Sequence, residues 1–188
     1  MNSSIIRARD CMPQAWKNGF GSTRQIAVQP STAGSDDFLW RVSVAEVDSA
    51  APFSVFPGID RHIVLLDGAG FTMTLDDRRT HALTTPLAPF AFPGEAKVAV
   101  RLAGGPTRDF NLMVRRALAR GTVDVWREPG VHRLDRQTVL VYAVHGEIDT
   151  ADGALQAGDA WRASAPAAGT VTLHDGAQAL SIHIERTA

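Results

Sequence analysis

Five cations in the first two-thirds of the chain, Lys17, Arg24, Arg41, Arg61 and Arg101, each adjoin strand-like or turn-like sequence. A guanidinium presents a planar fork that fits a carboxylate with two parallel hydrogen bonds, so several such groups converging on one place would bind a small organic acid. Ser43 joins Arg41 on one face if FLWRVSVAEV alternates, and Asn111 lies opposite Phe110 and Leu112 in FNLMV. The segment WKNGFGSTR, residues 16–24, adds an indole, two cations, an amide, two hydroxyls and two glycines. It predicts a loop across the mouth of a site, with Gly19 and Gly21 bringing backbone close and Lys17, Asn18 and Arg24 offering donors. The competing arrangement has Trp16 and Phe20 plugging a barrel end while the polar groups satisfy turn backbone and the arginines are solvated.

Other chemistries are poorly supplied. In WKNGFGSTR the lysine precedes both glycines, so it is not a phosphate-binding loop, and no G-x-S-x-G elbow occurs. The six histidines, His62, His81, His132, His145, His174 and His183, are too scattered for a local metal motif, and no metal or other cofactor is expected. His62, beside Ile63 and Val64, reads as a core or hydrogen-bonded residue. Acid–base chemistry would have to come from Asp60, Asp109 or His62. Asp60 precedes Arg61 and Asp109 follows Arg108, a proximity that predicts ionised, paired carboxylates suited to orientation rather than proton transfer.

The elements that must position these residues read as strands. Trp40, Val42 and Val44 alternate with Arg41, Ser43 and Ala45, and the same period of two recurs in VAVRL and FNLMV. Only MVRRALAR suggests a short helix, cut by Gly121. Glycine turns such as LLDGAGF, FPGEA, LAGGPT and HGEID break the chain into short strands, which argues for an all-β sandwich or barrel. The order apolar strand, glycine turn, strand in RHIVLLDGAGFTMTL recurs in QTVLVYAVHGEIDT, with Gly68 and Gly146 as matching turns 78 residues apart. Two small β-barrel lobes in one chain are therefore predicted, residues 1–120 and 121–188, exchanging strands to form one compact unit.

The chain has 188 residues, 19 basic and 20 acidic side chains and a net charge of -1, which gives no global pull toward nucleic acid or an anionic membrane. Cations are concentrated in 97–120, and acids dominate from 131 onward. The lone Cys11 cannot form an internal disulfide, and no apolar run approaches the roughly 18 residues of a membrane span. A cytoplasmic protein is expected, whose exposed sheet edges leave room for a homodimer.

WKNGFGSTR, FLWRVSVAEV, PFSVFPGIDR and FAFPGEAKVAVRLAGGPTRDFNLMVRR, in that order, resemble the successive motifs of the HutD family, which includes the Ves-type proteins. The resemblance covers about residues 11 to 116. It implies a bicupin of the RmlC-like jelly-roll kind and an accessory role in histidine utilisation, without a settled activity. The residues it carries over are Trp16, Lys17, Asn18, Gly19, Gly21, Thr23 and Arg24; Trp40, Arg41, Ser43 and Ala45; Pro52, Phe53, Ser54, Phe56, Pro57, Gly58, Asp60 and Arg61; and Arg101, Asp109, Phe110, Asn111 and Met113. Family members commonly read WKNGGG, so Phe20 stands where a glycine is usual and is expected to line or narrow the pocket.

Together these readings predict a non-catalytic protein binding a small carboxylate of histidine breakdown, such as urocanate, formylglutamate or formate. Lys17, Asn18, Arg24, Arg41, Ser43, Arg61, Arg101 and Asn111 are its expected ligand-binding residues. Trp16, Gly19, Phe20, Gly21, Phe56, Asp60 and Asp109 are expected to shape the pocket. The rival functions are a metal-independent enzyme acting on such an acid and an interaction protein that modulates a histidine-utilisation enzyme or regulator.

Overall fold

The structure is a computed structural model and describes residues 3–31, 38–164 and 167–187. Its strands are β1 (Ser4–Ile6), β2 (Pro13–Ala15), β3 (Gly21–Pro30), β4 (Phe38–Val47), β5 (Ile59–Asp67), β6 (Phe71–Leu75), β7 (Arg79–Leu83), β8 (Phe90–Pro93) and β9 (Val98–Leu102). They continue with β10 (Thr107–Arg115), β11 (Ala119–Trp126), β12 (Gly130–Arg133), β13 (Thr138–His145), β14 (Ile148–Thr150), β15 (Gly153–Leu155), β16 (Ala160–Arg162), β17 (Thr170–Leu173) and β18 (Gln178–Arg186). A single 3-10 turn at Ala8–Asp10 is the only helical element among the described residues. The fold is all-β, as the alternation predicts. MVRRALAR is not a helix: Met113–Arg115 ends β10, a tight turn follows, and β11 starts at Ala119. The period of two that begins in FNLMV runs on into this segment and outweighs its helix-favouring composition.

The chain divides into two compact units, Met12–Arg120 with Thr187–Ala188, and Met1–Cys11 with Gly121–Arg186. The first holds a six-stranded sheet, β2-β3-β4-β10-β5-β8, and a three-stranded sheet, β7-β6-β9. Val47, Ile63, Leu65 and Phe92 from the larger sheet join Phe71, Met73, Leu75, Leu83 and Val98 from the smaller in one apolar core. The second unit repeats the plan with the sheets β1-β16-β13-β18-β11 and β12-β17-β14-β15. Its core joins Val141, Ala143, Trp161 and Ala179 to Ile148, Leu155, Val171 and Leu173. Among the described residues no sheet closes on itself, so the expected barrels are open, layered sheets.

The glycine echo has a structural cause. Gly68 ends β5 and Gly146 ends β13, both with left-handed backbone, φ +90° and +71°. A Cβ on Gly68 would lie 2.5 Å from the Pro106 carbonyl oxygen, and one on Gly146 would lie 2.7 Å from Ala177 Cα. Each turn is thus pressed against the entry to the next long strand, β10 or β18, and only glycine fits. The strands that follow take corresponding registers: Asp109 opposite Leu65 and Asn111 opposite Ile63 in one unit, Ala179 opposite Ala143 and Ser181 opposite Val141 in the other.

Candidate functional site

The large sheet of the first unit has two faces set by alternation. Trp40, Val42, Val44, Phe110, Leu112 and Val114 are all buried on one of them. The other carries polar side chains in rows that cross neighbouring strands. Gln25, Ser43, Asn111 and Ile63 form one row, and Thr23, Ala45 and Asp109 form a second. Arg41, Met113 and Arg61 make a third. This face borders a cavity of about 530 Å3, of a size typical for small-molecule sites. Its other wall is the segment Pro52–Phe56, held by Phe53 N–H donating to the Val98 carbonyl (3.0 Å) and Phe56 N–H donating to the Gly94 carbonyl (2.7 Å). Gly94 permits that approach, since a Cβ there would sit 2.6 Å from the Phe56 carbonyl oxygen.

WKNGFGSTR is a hairpin between β2 and β3. Trp16 N–H donates to the Gly21 carbonyl (2.9 Å) and Gly19 N–H to the Trp16 carbonyl (3.0 Å). The Asn18 side-chain oxygen accepts from Phe20 N–H (3.1 Å), and the Trp16 indole N–H donates to Thr23 Oγ1 (2.8 Å). Trp16, Lys17, Asn18 and Thr23 line the cavity. Gly19 takes φ +72° as the turn requires, and Gly21 is glycine because a Cβ would strike the Glu46 carbonyl oxygen at 2.2 Å. Both glycines shape the hairpin rather than meet the cavity. Phe20, at 42 % exposure, neither lines nor narrows the cavity and needs no left-handed backbone.

The cations separate sharply. Arg41 and Arg61 enter the cavity from β4 and β5. Arg61 is 5 % exposed, and its guanidinium lies over Phe92 (4.9 Å), Phe53 (5.1 Å) and Phe56 (5.6 Å). Arg41 stacks over Phe38 (5.2 Å) and Phe56 (5.6 Å) and donates to Met113 Sδ (3.1 Å). The Nε of each is buried without a hydrogen-bond partner. Burial, followed by the neighbouring Arg41 charge, pulls the Arg61 guanidinium down to about 10. Aromatic faces offset part of the desolvation cost but accept no hydrogen bond from Nε in this geometry. Arg24 instead faces away from the cavity, 3.7 Å from Glu46, and Arg101 is exposed on β9. Neither lines the cavity.

Both expected carboxylate pairings fail, for one reason: neighbours on a strand point to opposite faces. Asp60 meets Arg116 (2.6 Å), which also grips Glu95 (2.8 and 3.0 Å), so Asp60 does not orient Arg61. Arg108 is exposed, whereas Asp109 is 1 % exposed in the cavity wall, and both its oxygens lack a hydrogen-bond partner. Burial pushes the Asp109 carboxyl up to about 7, so it is a proton-exchanging group near neutrality and not the fixed anion expected. Asn111, 8 % exposed, likewise has an unpartnered Oδ1. His62 is half-buried on the opposite face of β5, and burial holds its imidazole below the ordinary range.

Lys17, Asn18, Arg41, Ser43, Arg61 and Asn111 thus share one cavity with Trp16, Phe56 and Asp109. Gln14, Gln25 and Ile63 also line it without having been singled out. Gln25 was within reach, two positions beyond Thr23 on the same strand face.

These features define an all-β protein with an open cavity lined by three cations, Lys17, Arg41 and Arg61. A bacterial pirin from Escherichia coli, solved with nickel(II), has the same cupin-like architecture, with a TM-score of 0.61 over 96 % of this chain and 98 % of the pirin at 9 % identity. The HutD family model matches residues 8–181, and the chain belongs to the HutD family. It is 34 % identical to HutD from Pseudomonas fluorescens, whose structure in a formate condition superposes with a TM-score of 0.83 over 99 % of this chain and 100 % of that one. It is also 36 % identical over 147 residues to an uncharacterized 21.2 kDa protein in the hutC 3' region of Pseudomonas putida, covering 77 % of this chain and 75 % of that protein.

Proposed function

We propose that this protein binds a small carboxylate metabolite of histidine degradation and acts as a non-catalytic accessory protein, with its two units as the lobes of a bicupin. The observation that carries this reading is the convergence of Arg41 and Arg61 on one cavity, each with a buried Nε that has no partner. An acid's carboxylate supplies the missing acceptors, and the phenylalanine faces hold the guanidinium groups in place. Urocanate, formylglutamate and formate are the candidate acids. The histidine-utilisation setting comes from the family and from the relative in the hutC 3' region. The cavity lining contains one carboxylate and no histidine or cysteine, so it lacks the paired acid and base that most proton-transfer enzymes use.

Calorimetric titration of these acids into wild type and Arg61→Ala, alongside melting curves, tests the proposal. Loss of a charge-assisted contact lowers affinity by about one to two decades. Equal affinity in a folded Arg61→Ala protein would remove Arg61 from the site. The second reading, a metal-independent enzyme, is favoured by one observation, the Asp109 carboxyl poised near neutrality. Turnover of the same acids that vanishes in Asp109→Asn would replace the accessory role with that activity.

A further inference from the structure

Two kinds of unmet hydrogen-bonding capacity line the cavity, and they lie at different places. Arg41 Nε and Arg61 Nε are donors without acceptors. Asp109 Oδ1, Asp109 Oδ2 and Asn111 Oδ1 are acceptors without donors. Buried polar groups are costly to leave unpaired, so a cluster of them inside one cavity describes the ligand by complement. The two sets are also spaced along β10: the arginines flank Met113 in register, two residues from Asn111 and four from Asp109, which is about 7 and about 13 Å at strand rise. We infer that the acid held here carries an N–H donor remote from its carboxylate, and that Asp109, with Asn111, is the specificity-determining pair that reads this donor.

This inference rests on the anion-site reading and narrows it to nitrogen-bearing acids: an amide, imidazole or ammonium group at one end and a carboxylate at the other. Four further observations support it. The charged side chains lining the cavity with Asp109 are Lys17, Arg41 and Arg61, while the residues beside it in register, Ala45 and Leu65, are uncharged. Burial alone raises the Asp109 carboxyl, so no cation in the wall compensates it, and a ligand donor would. A one-carbon acid would also leave most of the 530 Å3 unfilled. Finally, the fold itself does not require an acid at this register, because the matching position in the other unit is Ala179.

Binding of an N–H donor favours the ionised carboxylate, so Asp109 gives up its proton to buffer as the complex forms. The test uses two matched pairs of probes, urocanate against cinnamate and N-formylglutamate against glutarate, which share a carboxylate end and differ in the N–H. Calorimetry at pH 7 in two buffers of different ionisation enthalpy reads affinity and proton release together. In wild type the N–H member of a binding pair should be favoured at least about tenfold. Asp109→Leu should bring that ratio near one, and Asp109→Asn should abolish the proton release attributable to this residue. In both variants, adding Arg61→Ala should still lower the affinity for the pair's plain acid by about one to two decades. Equal binding of both members by wild type overturns the donor assignment and leaves the anion site standing, as shown by a common loss in Arg61→Ala. An N–H preference that survives in folded Asp109→Leu overturns the role of Asp109. Failure of all four acids to bind overturns both readings.

Discussion

The two units build matching strands to opposite ends. In Gly121–Arg186 the sheet face that carries Val141, Ala143, Trp161 and Ala179 packs on Ile148, Leu155, Val171 and Leu173 in an apolar core. In Met12–Arg120 the corresponding face carries Ile63, Asp109 and Asn111 beside Arg61, and part of its interior is left as a cavity. The turn glycines and registers correspond, so the difference lies in the side chains at a few inward positions. Ala179 sits in an apolar core, whereas its counterpart Asp109 is a buried carboxyl without a partner, and a space beside such a group is one that water or a ligand satisfies.

Exchanging the chemistry of the two faces carries the largest expected cost in stability. Ala179→Asp places an unpaired carboxyl in an apolar core, and urea denaturation should show a loss of about 3–5 kcal/mol. The reverse exchange should stabilise. The Asp109 carboxyl sits above its ordinary 3.8 when folded, at about 7, so the folded state holds a proton that the unfolded chain releases. Its contribution is therefore undiminished below about pH 4, and stability falls as pH rises toward 7–8, by on the order of 4 kcal/mol at most. Unfolding of ligand-free protein across pH 4–8 should show this decline, and Asp109→Leu should flatten it and raise the melting temperature at pH 8. A melting temperature that falls at every pH would make Asp109 a structural residue.

The smallest effect is expected at the outer face of the hollow unit. The Arg116 hydrogen bonds hold the exposed Glu95 carboxyl down at about 2, so their stabilising effect is present above the ordinary carboxylate range and fades as pH falls toward 2. Arg116→Ala should return Glu95 to the ordinary range in a carboxyl NMR titration while leaving acid binding unchanged. A binding loss as large as that of Arg61→Ala would show that Asp60 and Arg116 act on the site after all.

How much of this was legible in the sequence follows from what alternation can and cannot say. Period two placed Arg41 with Ser43, and the glycine turns revealed the repeated plan, because both signals are local. Pairing inferred from adjacency failed at Asp60–Arg61 and Arg108–Asp109, since on a strand the nearest residues in sequence face apart. Arg24 and Arg101 carry the same charge as Arg61, and only the sheet's orientation separates an outward arginine from an inward one. The family resemblance supplied Phe53 and Met113, which no charge or motif argument reaches. Phe20 was misread because the glycine it replaces lies on the outer side of the hairpin, where a large side chain meets solvent.

One pairing also bears on how the chain is made. Ser4, Ile5 and Ile6 zip against Arg162, Trp161 and Ala160, so a segment made before the Met12–Arg120 unit finds its partner only after that unit has been synthesised. The intervening Met12–Arg120 unit has its long strands complete well before then, whereas the enclosing unit must close a very long loop at the end. Vectorial synthesis therefore favours maturation of the Met12–Arg120 unit first, with β1 waiting as an unpaired edge that nascent-chain chaperones would have reason to cover.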